Sequence, residues 1–246
     1  IWLASPAFAR ITGKQQEPKN DLNAADRQFL LDCSGAIWSY FSKNCSRQDH
    51  WLPPDNVQVQ PPKGAARRTS PTNIGMAVVS AVAAMELELV PPDNAASLIG
   101  KIMSTIEGMP RWHGHLFNWY DTGTCAPLEP AYISTVDSGN LCACFIAAAH
   151  GLKAHGFSEL SRRVKAFADE VDLGALYDPK QKLFFIGLDP ASGTASPGHY
   201  DLMASEARLT SYLACARGEA PLRHWQALSR AQLQISRSHF LYCSRM

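Results

Sequence analysis

The chain has 246 residues, 46% of them apolar, with a formal net charge of +1 and a pI near 7.8. A chain of this length can form one large domain, or two small ones, around a sizeable core. Its Lys and Arg residues are scattered instead of clustered on a basic face, which argues against a nucleic-acid partner. Apolar runs such as residues 77–85 are much shorter than the ~18 residues that suggest a membrane span, so we predict no transmembrane helix.

The seven cysteines are odd in number and irregularly spaced. Secreted disulfide scaffolds usually have even numbers and regular spacing, so we interpret these cysteines as free thiols in a reducing compartment. Cys142 and Cys144, with His113, His115 and His150, form the candidate set for a zinc site. The Cys-x-Cys spacing is one residue short of the usual Cys-x2-Cys and lies in an apolar run. We therefore predict no metal site and no cofactor.

The first residues, "IWLASPAFARI", have neither an initiator Met nor a signal peptide and read like the interior of a larger protein. We therefore expect the chain to be a fragment.

Helical patterns then dominate from residue 21 onward. Residues 21–45 carry apolar side chains at spacings of three and four, with Asn20 or Asp21 as the expected N-cap; these side chains are Leu22, Phe29, Leu30, Ile37, Trp38 and Phe41. Residues 72–89 are almost entirely apolar, which predicts a helix buried on most sides.

Four further helices are predicted after residue 90. Residues 91–109 open with Pro before Asp93 and stop at Gly108, the residues that typically start and end a helix. Residues 136–156 predict another buried helix that ends at Gly156. Residues 157–172 and 201–218 are amphipathic, and Gly218 is the expected stop of the second. Only residues 182–194 have the pattern of a strand, which we expect to form one short β-hairpin.

Long polar-aromatic loops separate these helices. Loops longer than ~12 residues are either functional or disordered, and these are too aromatic for disorder. Apolar helices alternating with such loops favour a toroid, in which an inner ring of apolar helices holds the loops around a cleft at one end. We therefore predict an all-α fold of this type with long aromatic loops.

The loop composition suits carbohydrate. Pyranose rings stack their C–H faces on Trp and Tyr, while their hydroxyls need dense, directional hydrogen bonds. The alternative is that the aromatics pack the loops onto the helix ends, and for a single residue such as Trp112 or Phe117 that interpretation is the better one. For the motifs around residues 50–56, 68–75, 117–122 and 136–140 taken together, a sugar-binding cleft is favoured.

A set of ordered motifs resembles one known family. The motifs are "SP" (5–6), "WLPPDN" (51–56), "RTSPTNIG" (68–75), "GHLFNWYDT" (114–122), "PLEPAYISTVDSGN" (127–140), "DPKQKLFFIG" (178–187), "YDLMASEARL" (200–209) and "HW" (224–225). In this order and spacing, over about nine-tenths of the chain, they resemble the glucoamylase-like transglycosylase domain of bacterial cyclic β-1,2-glucan synthases.

The resemblance implies a larger context. Full-length members are inner-membrane proteins in which a glycosyltransferase region with membrane helices precedes this domain and a phosphorylase-like domain follows it. It implies that residues 1–20 are a post-membrane linker, that residues 21–225 are part of the domain and that residues 226–246 are a divergent tail. It also implies a location at the cytoplasmic side of the inner membrane, and as partners linear β-1,2-glucan and the remainder of a synthase.

The implied chemistry is transglycosylation on linear β-1,2-glucan, closing a ring by a retaining mechanism with two carboxylic acids. Glu206 matches the position that the resemblance assigns to the general acid/base. On the residues alone, Glu206 is expected on a helix beside Arg208, where partial burial would favour the protonated acid. The alternative is a structural salt bridge to Arg208 or another arginine.

The remaining positions carried over are implied sugar contacts: Asp55, Asn56, Arg68, Asn73, Asn118, Trp119, Tyr120, Asp121, Asp137, Asn140, Tyr200 and Asp201. Of these, Asp137, Trp119, Tyr120 and Asp121 rank highest. Asp137 could instead cap the helix that follows it, and Tyr200 and Asp201 could be a packed aromatic and a helix cap.

The sequence also departs from the family. A complete (α/α)6 toroid has twelve helices, but only about seven or eight are predicted here, including the six placed above. The family's later Ser-Glu-Ser motif, whose Glu the resemblance assigns as nucleophile, is missing. We therefore expect an incomplete (α/α)6-type toroid. Three functions stay open: a piece of the transglycosylase domain that is inactive alone, a non-catalytic β-glucan-binding module, or a helical scaffold for a partner.

Overall fold

The computed structural model describes residues 22–235 and 238–241, with side chains for residues 22–231. The predicted linker 1–20 and the end of the predicted tail 226–246 lie outside the described residues. The described part contains seven α-helices: α1 Ala24–Asn44, α2 Pro71–Glu86, α3 Pro92–Glu107, α4 Thr135–Ala154, α5 Ser158–Asp169, α6 Arg208–Ala216 and α7 Leu222–Ala227. The prediction of a mainly helical chain is confirmed.

The helix ends follow local chemistry. Helix α1 begins after Asn23, which forms a capping box with Asp26, so the predicted cap at Asn20 or Asp21 was wrong by two to three residues. Helix α2 begins after Ser70 with Pro71 in its first turn, and helix α3 ends at Gly108 as predicted. Helix α6 begins at Arg208 and not near residue 201, because residues 201–207 form turns and loops.

Twelve short strands form five small antiparallel sheets in the described part, more than the single predicted hairpin. They are β1 Val57–Val59 with β2 Pro62–Ala65; β3 Arg68–Thr69 with β4 Tyr120–Asp121; β5 Ile133–Ser134, β8 Gly187–Asp189 and β9 Thr194–Ala195; β6 Tyr177–Asp178, β7 Leu183–Phe185 and β10 His199–Tyr200; and β11 Gln232–Ile235 with β12 Ser238–Leu241. The β3–β4 and β5–β8 pairs join segments far apart in the sequence and tie the loops to one another, whereas the other pairs join segments close in the sequence.

The core forms where α2 and α4 pack side by side, with α3 and α5 packed outside them. Glycines allow the closest approaches. A Cβ on Gly151 would lie 2.3 Å from Val82 Cγ1, and a Cβ on Gly139 would lie 1.9 Å from Thr210 Oγ1 on α6. The buried, nearly all-apolar character predicted for α2 and α4 matches this central position.

Helix α1 packs against α2 mainly through its C-terminal half, where Phe41 is buried and Trp38 is half-buried. Its Phe29, Leu30, Leu31 and Ile37 side chains are exposed, as is that of Leu22 just before the helix. The predicted apolar face of α1 is thus only partly covered. Within the described residues, no helix combines the length and the apolar character needed to cross a bilayer.

Candidate functional site

The first turns of α2 and α4 meet at Asp137. Ser134 caps α4 by accepting a hydrogen bond from the Asp137 N–H, which places the Asp137 carboxylate in the first turn, where the helix dipole favours a negative charge. One carboxylate oxygen accepts a hydrogen bond from the Thr72 N–H, 3.3 Å away, in the first turn of α2. The Asp137 carboxylate therefore lies at the N-terminal ends of two helices, and the predicted alternative that it is the N-cap of α4 is wrong.

Two amide side chains complete this cluster. Asn118 Nδ2 donates to the second carboxylate oxygen of Asp137 at 3.2 Å, and Asn140 Nδ2 donates to Thr72 Oγ1 at 3.1 Å. The side-chain oxygen of Asn118 is buried and accepts no hydrogen bond from the described residues. Asn118, Asp137 and Asn140 are all half-buried, so the structure brings these three predicted residues together at one end of the helices.

Glu206 lies in the turn before α6, and its carboxylate is exposed. The expectation of a partly buried acid on a helix was wrong. Apolar spacing around Glu206 suggested a helix, but backbone hydrogen bonds to Ser229 fix this segment in a non-helical conformation. The Tyr200 hydroxyl donates to Glu206 Oε1 at 3.3 Å. Among the described ion pairs none joins Glu206 to Arg208, so the alternative of a structural salt bridge between them is not found.

Tyr200 links Glu206 to the Asp137 cluster. Burial raises the pKa of Tyr200 far above its usual range, the Glu206 carboxylate adds to this, and Tyr132 and Asp137 contribute further. The Tyr200 hydroxyl therefore stays protonated and available as a donor. Burial also raises the pKa of Tyr132, whose ring lies against Gly187. The Glu206 and Asp137 carboxylates thus both act on the pKa of Tyr200.

A second group surrounds Arg68. Pairing of β3 with β4 sets Arg68 opposite Asp121, and its guanidinium lies 4.8 Å from the centroid of the half-exposed Trp119 ring. Arg68 also donates to one oxygen of Asp55, at 2.9 Å from Nη2, and Asn56 donates to the same oxygen. The two groups lie close along the chain, because Thr72 follows Arg68 within the same motif (residues 68–75) and Asn118 directly precedes Trp119.

Three of the predicted sugar contacts have internal roles instead. Tyr120 is completely buried, and its hydroxyl donates to the Pro110 carbonyl at 2.6 Å, so its high ranking as a sugar contact was wrong. Asn73 forms a capping box with Ser70 at the start of α2. Asp121 accepts hydrogen bonds from the N–H groups of Gly123 and Thr124 within its own turn.

The Thr124 backbone bond is the largest cause that holds the pKa of Asp121 below its usual range. Asp201 is exposed, and its carbonyl accepts from the Ser229 N–H, so it does not cap a helix.

The sequence interpretation missed Thr72 and Tyr132. Both lie inside the motifs at residues 68–75 and 127–140, so the motifs indicated the right segments but not these individual residues.

Comparison with known proteins agrees with this picture. No protein-family model matches the sequence. The chain is 37% identical over 149 residues to the cyclic β-(1,2)-glucan synthase NdvB of Rhizobium meliloti (strain 1021), a match that spans 60% of this chain and 5% of that protein.

Solved structures share the fold at low identity. A glucoamylase-like protein of Bacteroides fragilis superposes with a TM-score of 0.72 at 14% identity, over 92% of this chain and 57% of that one. The endo-β-1,2-glucanase of Chitinophaga pinensis, in complex with sophorotriose and glucose, gives a TM-score of 0.66 at 13% identity, over 89% of this chain and 56% of that one. That of Talaromyces funiculosus, in complex with sophorose, gives 0.65 at 14% identity, over 85% and 53%.

The chain thus spans little more than half the length of these structural relatives and a twentieth of the synthase. The predicted resemblance and the (α/α)6-type fold are confirmed. The chain has a glucoamylase-like α/α fold and is similar, over more than half of its length, to a segment of a cyclic β-1,2-glucan synthase.

Proposed function

We propose that this chain is the part of a β-1,2-glucan transglycosylase domain that binds the glucan and supplies the general acid/base, Glu206. The observation that carries the proposal is the convergence of Glu206, Tyr200 and Asp137 on a fold whose relatives include endo-β-1,2-glucanases in complex with sophorose and sophorotriose. The similarity to a cyclic β-1,2-glucan synthase segment favours the same glucan as substrate.

In this proposal, Glu206 donates a proton to the leaving oxygen and later removes one from the attacking hydroxyl. Tyr200 positions one carboxylate oxygen and leaves the other free for the substrate. A retaining reaction also needs a nucleophilic carboxylate on the other face of the sugar. In the related family this residue lies in a later motif with no counterpart in this chain, so the remainder of a synthase is the proposed partner.

The sugar contacts that remain proposed divide by location. Asp137, Asn118 and Asn140 offer hydrogen-bonding groups beside the acid, and Trp119 offers a ring whose one face is covered by Arg68. Domain bounds of 21–225 and a location on the cytoplasmic side of a bacterial inner membrane, as part of a longer protein, belong to the same proposal.

A second candidate is a non-catalytic β-glucan-binding module. The exposure of Glu206 favours it, because a general acid usually acts in a more enclosed site where its proton is retained. Asp137, the other carboxylate near Tyr200, accepts hydrogen bonds from Thr72 and Asn118. It would contribute to glucan binding under either proposed function.

Thermal unfolding with ligand tests binding. Linear β-1,2-glucan should stabilise the protein more than cellulose fragments of equal length. Trp119→Ala should weaken binding by about 1–3 kcal/mol if the ring stacks on sugar. Trp225→Ala is the matched control, because Trp225 on α7 packs against Tyr212 on α6, outside the group around Trp119. Equal stabilisation by the two glucans would contradict the proposal.

A further inference from the structure

A groove of about 630 Å³ lies on the outer face of the helices, between α3, α5 and the turn at residues 47–51. Its lining includes Arg47, His50, Trp51, Lys101, Ser104 and Arg163. None of these is among the individual residues proposed to contact glucan, although His50 and Trp51 belong to the motif at residues 50–56. The lining side chains carry three permanent positive charges, and no carboxylate of the described residues lines the groove.

Two of the three cations lack an acidic partner. Within the described residues, neither Arg47 nor Lys101 forms an ion pair, whereas the cations of α5, Arg162, Arg163 and Lys165, all do. Arg163 pairs with Glu107 at 2.7 Å, and it also donates to Ser104 Oγ at 3.3 Å. A concave surface lined by charge of one sign concentrates its field and attracts an ion of the opposite sign. The groove therefore favours an anion.

The groove wall is formed by a backbone in an unusual conformation. His50 and Trp51 are consecutive non-glycine residues with φ of 53° and 65°, in the left-handed region. A bulky residue there is a true outlier, and such strain persists only where the surroundings hold it. Thr105 Oγ1 donates to the His50 carbonyl and the Trp51 N–H donates to the Ser46 carbonyl, each at 2.7 Å.

This conformation orders Lys101. The Lys101 ammonium lies 4.2 Å from the centroid of the Trp51 ring, a cation–π contact that holds the side chain against the wall. The His50 ring is held by its Nδ1, 3.0 Å from the Thr122 carbonyl. Because a carbonyl can only accept, His50 Nδ1 carries the proton there. The side chains that face the groove are thus held from three different elements.

We propose that this groove is a binding site for a phosphate group, separate from the glucan cleft. A phosphate carries up to two negative charges and several acceptor oxygens, so it can satisfy arginine, lysine and hydroxyl donors from several directions at once. A carboxylate has two oxygens and one charge and would leave part of this set unpaired. The phosphate can belong to a soluble ligand or to a lipid headgroup.

Titration calorimetry with sodium pyrophosphate, at constant ionic strength in chloride buffer, tests the site. Pyrophosphate should bind the unaltered protein, and Lys101→Ala and Arg47→Ala should each weaken binding about tenfold, the loss typical of one charge-assisted contact. Lys180→Ala removes a positive charge that is also exposed but lies outside the groove, and it should leave the affinity unchanged. Circular dichroism of each variant checks that folding is retained, as expected for exposed side chains.

Vesicles distinguish the two sources of phosphate. Binding to phosphatidylglycerol vesicles but not to phosphatidylcholine vesicles, weakened by Lys101→Ala, would assign the site to a lipid headgroup. Pyrophosphate binding without vesicle binding would assign it to a soluble ligand. The proposal is overturned if neither probe binds, or if Lys180→Ala weakens binding as much as Lys101→Ala does. Glucan-dependent stabilisation of the same variants should be unchanged, so this outcome is independent of the proposed glucan function.

Discussion

The Asp137 carboxylate should stabilise the fold by bridging two helix N-termini, and Asp137→Ala measures that contribution. The substitution removes hydrogen bonds from the Thr72 N–H at 3.3 Å and from Asn118 Nδ2 at 3.2 Å. Both bonds are long, so we assign about 1 kcal/mol to each, below the usual range for charged partners. Loss of the charge at two helix ends adds about 0.5 kcal/mol per helix.

The free energy of unfolding should therefore fall by about 3 kcal/mol, which corresponds to a decrease in Tm of roughly 10 °C for a protein of this size. Urea denaturation at pH 7, followed by circular dichroism, gives the value directly. Asp93→Ala is the matched control, because Asp93 also lies in a first helical turn, on α3, but is exposed. It should cost only about 0.5 kcal/mol.

A double-mutant cycle with Asn118→Ala separates the Asn118 contact from the rest, since the two single changes should not be additive. If Asp137→Ala costs no more than Asp93→Ala, then Asp137 does not bridge the helices. The Asp137 carboxylate would then be available for sugar binding without a role in holding α2 and α4 together.

Three further predictions test the core and the activity. Gly151→Ala should destabilise the protein by about 1–3 kcal/mol, because its Cβ would lie 2.3 Å from Val82 Cγ1, whereas Gly100→Ala, with open space around it, should be neutral or stabilising; both are measured by urea denaturation. Burial lowers the pKa of His115 to about 4, so the neutral ring's contribution to the free energy of unfolding is complete above about pH 6.5, and about 3 kcal/mol of it is lost as the pH falls to 4. His115→Gln should flatten this dependence of stability on pH, and an equal slope in both proteins would contradict the prediction. By mass spectrometry, the chain alone should neither cyclise nor shorten linear β-1,2-glucan. A chimera of residues 1–225 with the rest of the domain of an active relative should turn over the glucan, and Glu206→Gln should reduce that turnover by orders of magnitude. Rings formed by the chain alone would show that a nucleophile is present within it.

The helices were predictable because their signals are local. Ser70 and Pro71 at the start of α2 and Gly108 at the end of α3 act within one turn of the residues they cap. The strands were not predictable in the same way. Each is two to four residues long, so its sequence pattern is too short to recognise, and some, such as β3 with β4, form only by pairing with a distant segment.

The candidate site divides in a similar way. The motifs located the right loops, but they could not distinguish Trp119, whose ring is half-exposed, from Tyr120 beside it, which is fully buried. Glu206 was placed on a helix because apolar residues recur around it. The segment 201–207 is instead fixed by backbone bonds between residues 201 and 203 and Ser229. Such long-range contacts leave no trace in local periodicity.

The partial covering of α1 has a consequence for local stability. Isolated helices shorter than ~12–15 residues are marginal in water, and the first half of α1 has little packing to support it. Its amide protons should therefore exchange with deuterium through a local opening of the helix, at a free energy far below that for global unfolding, while the amides of α4 report the whole fold. The first half of α1 is then a separate cooperative unit. Slower deuterium exchange of its amides would show directly that another protein surface covers it.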